Sequence, residues 1–497
     1  MTMASAVLHL MAGWVATQMD GSIVAGERAR EFTDVSIDSR TVKAGELYVG
    51  IRGERFDGAE FASAAIEAGA AGVVVPRGWS ANASAERDAV TGSAKALAER
   101  SGSTGSANAL AERGVVVIEV DDTTAALQAL AHGVRREAGT KVVAITGSAG
   151  KTTTKEVTSE FLETRYRVVR NRGNFNNHIG LPLSLIELRL RPEVAVVELG
   201  MNHAGEISTL VRVAEPDVRV WTNVGEAHLG FFASIDAIAD AKAEILERAD
   251  ASTLLVANAD DPRISARIGA FPGRVVTFGI DSDADVRARD VVDRGIEGTS
   301  ARVSARSGVV EISTPLVGKA NLANILAATA VAEEFGVPLA EISAKAAGLR
   351  PAAHRGEIVR LASGVTVVDD SYNANPTATR KALEVLASGR ASRRIAVIGE
   401  MLELGDGSAE LHAGVGRAAA KAGVNLLFAV GGAPAKALAD AAVQSGMTAA
   451  SVQYFATSDD AALAVVASVK AGDLVLVKGS RGVKTDRVVE RLKAERG

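Results

Sequence analysis

The sequence predicts an α/β fold of three domains, the second and third built on parallel sheets. Three observations predict it. The chain has 497 residues, enough for three cores at about 100–200 residues per domain. Short β-branched runs recur at 142–146, 194–197, 218–222 and 253–257, and again at 365–368, 395–398, 426–430 and 474–477, with longer amphipathic stretches between them. Strands that alternate with helices form parallel sheets covered on both faces. The third observation is a Gly-rich turn at 147–152, between a hydrophobic strand and a helical stretch.

Composition narrows the function. With 47% hydrophobic and 23% charged residues the chain is globular, and dominant disorder is excluded. It contains no cysteine, which removes a disulfide scaffold, a zinc–thiolate site and a thiol nucleophile together. The 55 Lys+Arg against 60 Asp+Glu leave a net charge of −5, whereas a sequence-independent nucleic-acid binder needs a basic face. The apolar stretch 4–15 has no basic flank before it and soon meets Asp20 and Gly21. It is too short to span a membrane and is no secretory signal, so a cytoplasmic protein is expected.

The elements follow in order. From 34 to 75, SIDSR and GELYVGIRGERFDG lead into a helical FASAAIEAGA, as in a small α/β domain. The stretch 77–114 is rich in Ala, Ser and Gly and holds a near-duplicate, TGSAKALAER from Thr91 and TGSANALAER from Thr104, differing only at Lys95 and Asn108. One pair is too few for a solenoid, so this reads as an inserted surface excursion, partly helical and without chemistry. A strand at 115–120 and a helix at 123–136 precede the β/α rhythm, and the Pro-containing stretch 348–355 joins its two halves. The expected domains are 1–120, 121–350 and 351–497.

The segment VVAITGSAGKTTTKEV carries the most chemistry. A strand runs into Gly147, Ser148, Ala149, Gly150, Lys151, Thr152 and Thr153, and then into a helix. Glycines let backbone N–H groups face phosphate oxygens, the helix N-terminus favours negative charge, and Lys151 adds a mobile cation. The Thr152 hydroxyl suits a magnesium ion that bridges phosphates. The loop is shorter than the usual Walker sequence, since Ile145 stands where the first glycine would be.

Ligands of open parallel sheets sit beyond the carboxyl ends of the strands. Glu198, Asn223, His228, Asp369 and Asp370 all fall there. Singly, a strand-end carboxylate is ordinarily solvated and a lone histidine ordinarily structural. Together with a phosphate loop, they read as a nucleotide and magnesium site. Lys242 lies on the same helical stripe as Ile235, Ile238, Ala239, Ile245 and Leu246. A lysine there either snorkels to solvent or needs a partner, a modification or a ligand.

These residues resemble the Mur ligases nearly end to end, through SIDSR with GELYVGIRGERFDG, TGSAGKTTTKE, GNFNNHIGLPLSL, VVELGMNHAGEI, TNVGEAHLG with AKAEIL, VDDSYNANPTA, IAVIGEMLELG and LVKGSRG. DDSYNANP and GNFNN resemble the branch that adds D-alanyl-D-alanine. The resemblance implies a central P-loop-type ATPase domain and a C-terminal Rossmann-like domain. It implies a monomeric ligase that takes ATP, Mg2+, UDP-MurNAc-tripeptide and D-Ala-D-Ala and works through an acyl phosphate. Lys151 would then hold the β/γ-phosphates and Thr152 the first magnesium, Glu198 would help bind magnesium, and His228 would serve a second ion. Lys242 would be carbamylated. Asn321 and Asn324 would lie on the adenine side, Asp370 at the ribose, and Arg355 at the domain join. Ser39 and Arg40 would hold the uridine nucleotide, Asn174, Asn176 and Asn177 the muramoyl peptide, and the last domain the dipeptide. Two positions depart from the family pattern: Ala320 replaces a histidine in the adenine motif, and His354 precedes Arg355 where many members have glycine. The alternatives are another Mur-type or folylpolyglutamate-type amide ligase, or a non-catalytic nucleotide-binding relative.

Overall fold

A computed structural model describes residues 7–53, 56–80, 107–171 and 173–497. Its contacts divide the chain into two compact units, one of residues 1–142, 169–199 and 209–215, the other of 143–168, 200–208 and 216–497.

The first unit contains a five-stranded sheet in the order Ser22–Ala25, Val116–Val120, Gly72–Pro76, Leu47–Val49, Val35–Ser36. Only the Ser22–Ala25 edge runs antiparallel. Alternate side chains of its strands, Tyr48, Val73, Val75 and Val117, join Ala62, Ala65 and Ile66 of the FASAAIEAGA helix in one core. The predicted helix at 123–136 is Thr123–Ala138, started by Asp122, whose carboxylate accepts from Thr124 N and Ala125 N. Residues 81–106, and with them most of the duplicated insert, lie outside the described residues. Its end, Ala107–Glu112, is helical.

In the second unit the strands run in the order Gly308–Thr314, Thr299–Ala305, Val286–Asp293, Arg274–Gly279, Leu254–Asn258, Val218–Trp221, Lys141–Thr146. From Lys141–Thr146 to Val286–Asp293 the pairing is parallel, with Val220 opposite both Ile145 and Val256. The outer strands add an antiparallel extension that the β/α rhythm does not predict. Its strands alternate buried and solvated residues, for example Val286, Ala288, Ala301 and Val303 against Arg289 and Arg302, a pattern of one-sided burial rather than of a sheet covered twice.

The same unit holds a six-stranded sheet ordered Glu357–Arg360, Thr366–Asp370, Asp473–Lys478, Arg393–Gly399, Leu426–Val430, Val452–Phe455, parallel except at the first pair. Here the apolar runs serve both faces. Ala396, Ile398, Leu474 and Leu476 enter one core, while Ile395, Val397, Val475 and Val477 enter the other. Among the described residues no helix is long and apolar enough to cross a membrane.

Candidate active site

The strand Lys141–Thr146 delivers the chain into the turn, and the helix Lys151–Leu162 takes it out. Gly150 caps that helix with φ of 80°, and no side chain caps it. Gly147 has φ of 153°, and a Cβ there would collide with Thr222 Oγ1; one on Gly150 would collide with Asn324 Oδ1. Only glycine fits either place. The TNVG segment straps the turn from the neighbouring strand. Asn223 Oδ1 accepts from Ala149 N and its Nδ2 donates to Ala149 O, both at 2.9 Å, while Ser148 N donates to Asn223 O at 3.0 Å. The Ser148 hydroxyl donates to Gly225 O at 3.1 Å and accepts from Gly225 N at 2.9 Å. Lys151 Nζ donates to Gly147 O at 2.8 Å, across the mouth of the turn.

Of the other predicted residues in the second unit, Asn324 and Arg355 reach this turn. Buried Asn324 accepts from Thr154 Oγ1 at 3.2 Å and donates to Asn321 Oδ1 at 3.3 Å. Arg355 reaches Thr152 Oγ1 with Nη2 at 3.4 Å. Asp370 is paired through Oδ2 with the buried Lys478 ammonium at 2.6 Å, and Lys478 also donates to Asn373 O at 3.0 Å. His228, at φ 61°, faces Glu403 with Nδ1 2.7 Å from Oε2, and this contact holds the Glu403 carboxyl below its ordinary range.

Lys242 lies on the helix Ile235–Ala243, whose N-cap Ser234 accepts from Ala237 N. It is 2% exposed, alongside buried Ile238, Ala239 and Ile245, so its stripe faces inward and the lysine does not snorkel. Leu246 falls in a closing 3-10 turn, Glu244–Leu246, and is only partly buried.

The first unit places Glu198 at the end of the strand Val194–Glu198, 4% exposed. Asn176 Nδ2 donates to Glu198 Oε1 at 2.8 Å, and Glu198 N donates to Asn171 Oδ1 at 3.0 Å. Asn177 accepts from Gly180 N at 2.8 Å, at the start of the helix Gly180–Ile186. Asn174 is exposed, and its carbonyl accepts from Asn176 N. Arg40 folds back onto Asp38 with two side-chain hydrogen bonds, of 2.9 and 2.7 Å, which with its backbone N–H bring the Asp38 carboxyl down to about 2. Ser39 lies between them in the same turn.

Comparison with known proteins fits this geometry. Three family models match successive parts of the chain: the Mur ligase family catalytic domain over 31–135, the Mur ligase middle domain over 145–332, and the Mur ligase glutamate ligase domain over 354–481. The UDP-N-acetylmuramoyl-tripeptide–D-alanyl-D-alanine ligase of Bacillus subtilis is 34% identical over 92% of each chain. The chain belongs to the Mur ligase family. Among solved structures, MurF from Acinetobacter baumannii is similar with a TM-score of 0.83 at 28% identity, covering 98% of this chain and 99% of that one. MurF ligase from Thermotoga maritima in complex with ADP has a TM-score of 0.75 at 27% identity, covering 93% and 97%.

Two residues of this Mur ligase hold backbone next to predicted site residues without a motif to announce them. Arg219, 2% exposed, donates to the carbonyls of Ile245 and Glu247, where the Lys242 segment ends, and burial pushes its pKa down to about 10. His412, fully buried, accepts from Met401 N through Nε2 at 2.8 Å and meets Ser408 O through Nδ1 at 2.7 Å. It thereby fixes the start of the loop that carries Glu403. Arg219 carries one usable signal, a charged residue in the apolar run VRVW; His412, on an ordinary amphipathic helix, carries none.

Proposed function

We propose that this Mur ligase joins D-Ala-D-Ala to UDP-MurNAc-tripeptide, with ATP as phosphoryl donor. The observation that carries the proposal is the tight turn itself. Two glycines that admit no side chain, an uncapped helix N-terminus and Lys151 together make a cradle suited to a triphosphate. The substrates are those in the relatives' names, and the dependence on ATP and a UDP-linked precursor supports a cytoplasmic enzyme.

In the reaction, a carboxylate oxygen of the tripeptide attacks the γ-phosphorus. The new O–P bond replaces the β,γ-bridging bond, and ADP departs. The dipeptide amine then attacks the acyl carbon and loses a proton; the C–O bond to phosphate breaks as the amide forms. Such a transfer needs positioning and charge neutralisation more than a protein nucleophile. Lys151 neutralises the β/γ-phosphates, Arg355 approaches the same end of the turn beside Thr152, and Asp370, held by Lys478, is left to the ribose. Asn321 and Asn324 lie on the adenine side. Ser39 and Arg40 receive the uridine nucleotide, and Asn174, Asn176 and Asn177 the muramoyl peptide.

Magnesium fits the donor chemistry. Among the described residues no three His, Asp or Glu side chains converge as a ready-made cation site; magnesium characteristically takes one or two protein oxygens and keeps phosphates and water for the rest. Thr152 would offer such an oxygen, Glu198 would help bind magnesium, and His228 with a carbamylated Lys242 would serve a second ion. When bound, the metal supplies charge neutralisation on the phosphates.

The test is substrate-dependent phosphate release. Release that requires ATP, UDP-MurNAc-tripeptide and D-Ala-D-Ala together supports the proposal. Release with single amino acids but not with the dipeptide would move the chain to another amide-ligase specificity.

A further inference from the structure

His354 has φ of 60°, a left-handed conformation uncommon outside glycine. Its side chain explains what that geometry serves. Nδ1 lies 2.8 Å from Asp369 Oδ2, and the Asp369 side chain is wholly buried while that of His354 is 32% exposed. The other Asp369 oxygen accepts from Ser371 Oγ at 2.6 Å and Ser371 N at 3.2 Å. The Asp369 main-chain carbonyl accepts from Gly356 N at 2.9 Å, and Tyr372 N donates to His354 O at 3.2 Å. Both neighbours of Arg355 are therefore tied to Asp369, His354 by its side chain and Gly356 by its backbone.

Arg355 itself leans on the same strip of chain. Its guanidinium carbon sits 4.1 Å from the centre of the Tyr372 ring, and Nη2 reaches Thr152 Oγ1. An arginine side chain has many rotamers to lose, so a pinned backbone on either side and an aromatic face beneath it leave fewer to be frozen at each turnover. A buried carboxylate also needs a hydrogen-bonded, charge-compatible partner. His354 is one such partner, beside Ser371, and it couples the inner end of the strand Thr366–Asp370 to the arginine at the phosphate turn.

We propose that the His354–Asp369 pair is a positioning device for Arg355, holding its guanidinium at the phosphate turn during phosphoryl transfer. This rests on the ligase reading above. His354 touches no reacting group; it acts through Arg355.

His354→Gly isolates that role, because glycine adopts the left-handed backbone without strain while the imidazole is lost. His354→Asn keeps both a tolerable φ and a donor for Asp369. Rates of ATP consumption with UDP-MurNAc-tripeptide and D-Ala-D-Ala are measured for each, and for His354→Gly in an Arg355→Ala background. H354G is expected to lower kcat about ten- to a hundredfold with KM for the dipeptide unchanged. H354N recovers to within about threefold of the parent, and H354G costs less than about twofold once Arg355 is gone. Parental rates in H354G, or the same loss in both backgrounds, would overturn the proposal. No ATP consumption by the parent protein would instead sink the ligase reading, and this inference with it.

Discussion

The hydroxyl of Thr222 occupies the space that a side chain at Gly147 would need. Thr222 Oγ1 lies between two carbonyls of the turn region, donating to Ala149 O at 2.9 Å with Thr146 O at 3.2 Å, so it cannot retreat cheaply. Gly147→Ala must both hold φ near 153° and displace that hydroxyl. Strain and overpacking together cost about 2–5 kcal/mol. The variant is expected to lose ATP turnover and to melt at lower temperature. A parental melting curve with parental activity would refute the steric account.

Lys151 stands in contrast. Its Nζ bridges to Gly147 O, but the side chain is only partly buried and supports no core. Lys151→Ala should therefore leave stability within about 1 kcal/mol while reducing kcat about a hundred- to a thousandfold. Thermal denaturation and phosphate release on the same preparation separate the two effects. Unchanged turnover would remove Lys151 from the phosphate chemistry.

The turn was legible in sequence because strand, glycines, lysine and helix are contiguous, and Lys242 because helical spacing sets its face by local geometry alone. What holds the turn was not legible. Asn223 and Asn324 meet Ala149 and Gly150 from 74 or more residues away, through sheet order and helix packing. Asn223 reads in sequence as a strand-end polar residue, yet both ends of its amide are committed to the Ala149 backbone. The antiparallel extension over 286–314 lies outside the β/α rhythm because its three strands follow one another with no helix of the α type between them, and the first carries a bulge between Arg289 and Val292. Asp369 and Asp370 are neighbours in sequence with opposite fates, since successive side chains of a strand point to opposite faces: one is buried under His354, the other meets Lys478.

His412 makes stability depend on pH. Its Nε2 must be unprotonated to accept from Met401 N, and burial pushes its pKa below the ordinary 6.5. The unfolded chain therefore binds a proton here before the folded chain does. The contribution is present in full above 6.5 and is lost progressively as the pH falls from there through the depressed folded value. Urea midpoints should fall across that window. In His412→Gln, whose side-chain oxygen can accept from Met401 N without titrating, this part of the fall should vanish. Identical pH profiles for the two proteins would contradict the assignment.

Lys242 offers a covalent test. Its amine is buried on a short helix whose end is gripped by Arg219, so the sign of its charge acts in a medium of low effective dielectric. The ammonium first gives up one proton; carbon dioxide then adds to the neutral amine, forming an N–C bond and releasing a second proton, so that an anion stands in place of the cation. The consequence is measurable apart from catalysis: isotope-labelled bicarbonate should give a protein-bound carbamate resonance that is absent in Lys242→Ala. That variant should lose turnover by about a hundredfold or more, as when one charge-stabilising group is removed from a site, and bicarbonate should not restore it, because no amine remains to react. An alanine variant with parental turnover, or a parent protein with no carbamate signal at saturating bicarbonate, would exclude the modified lysine from the reaction.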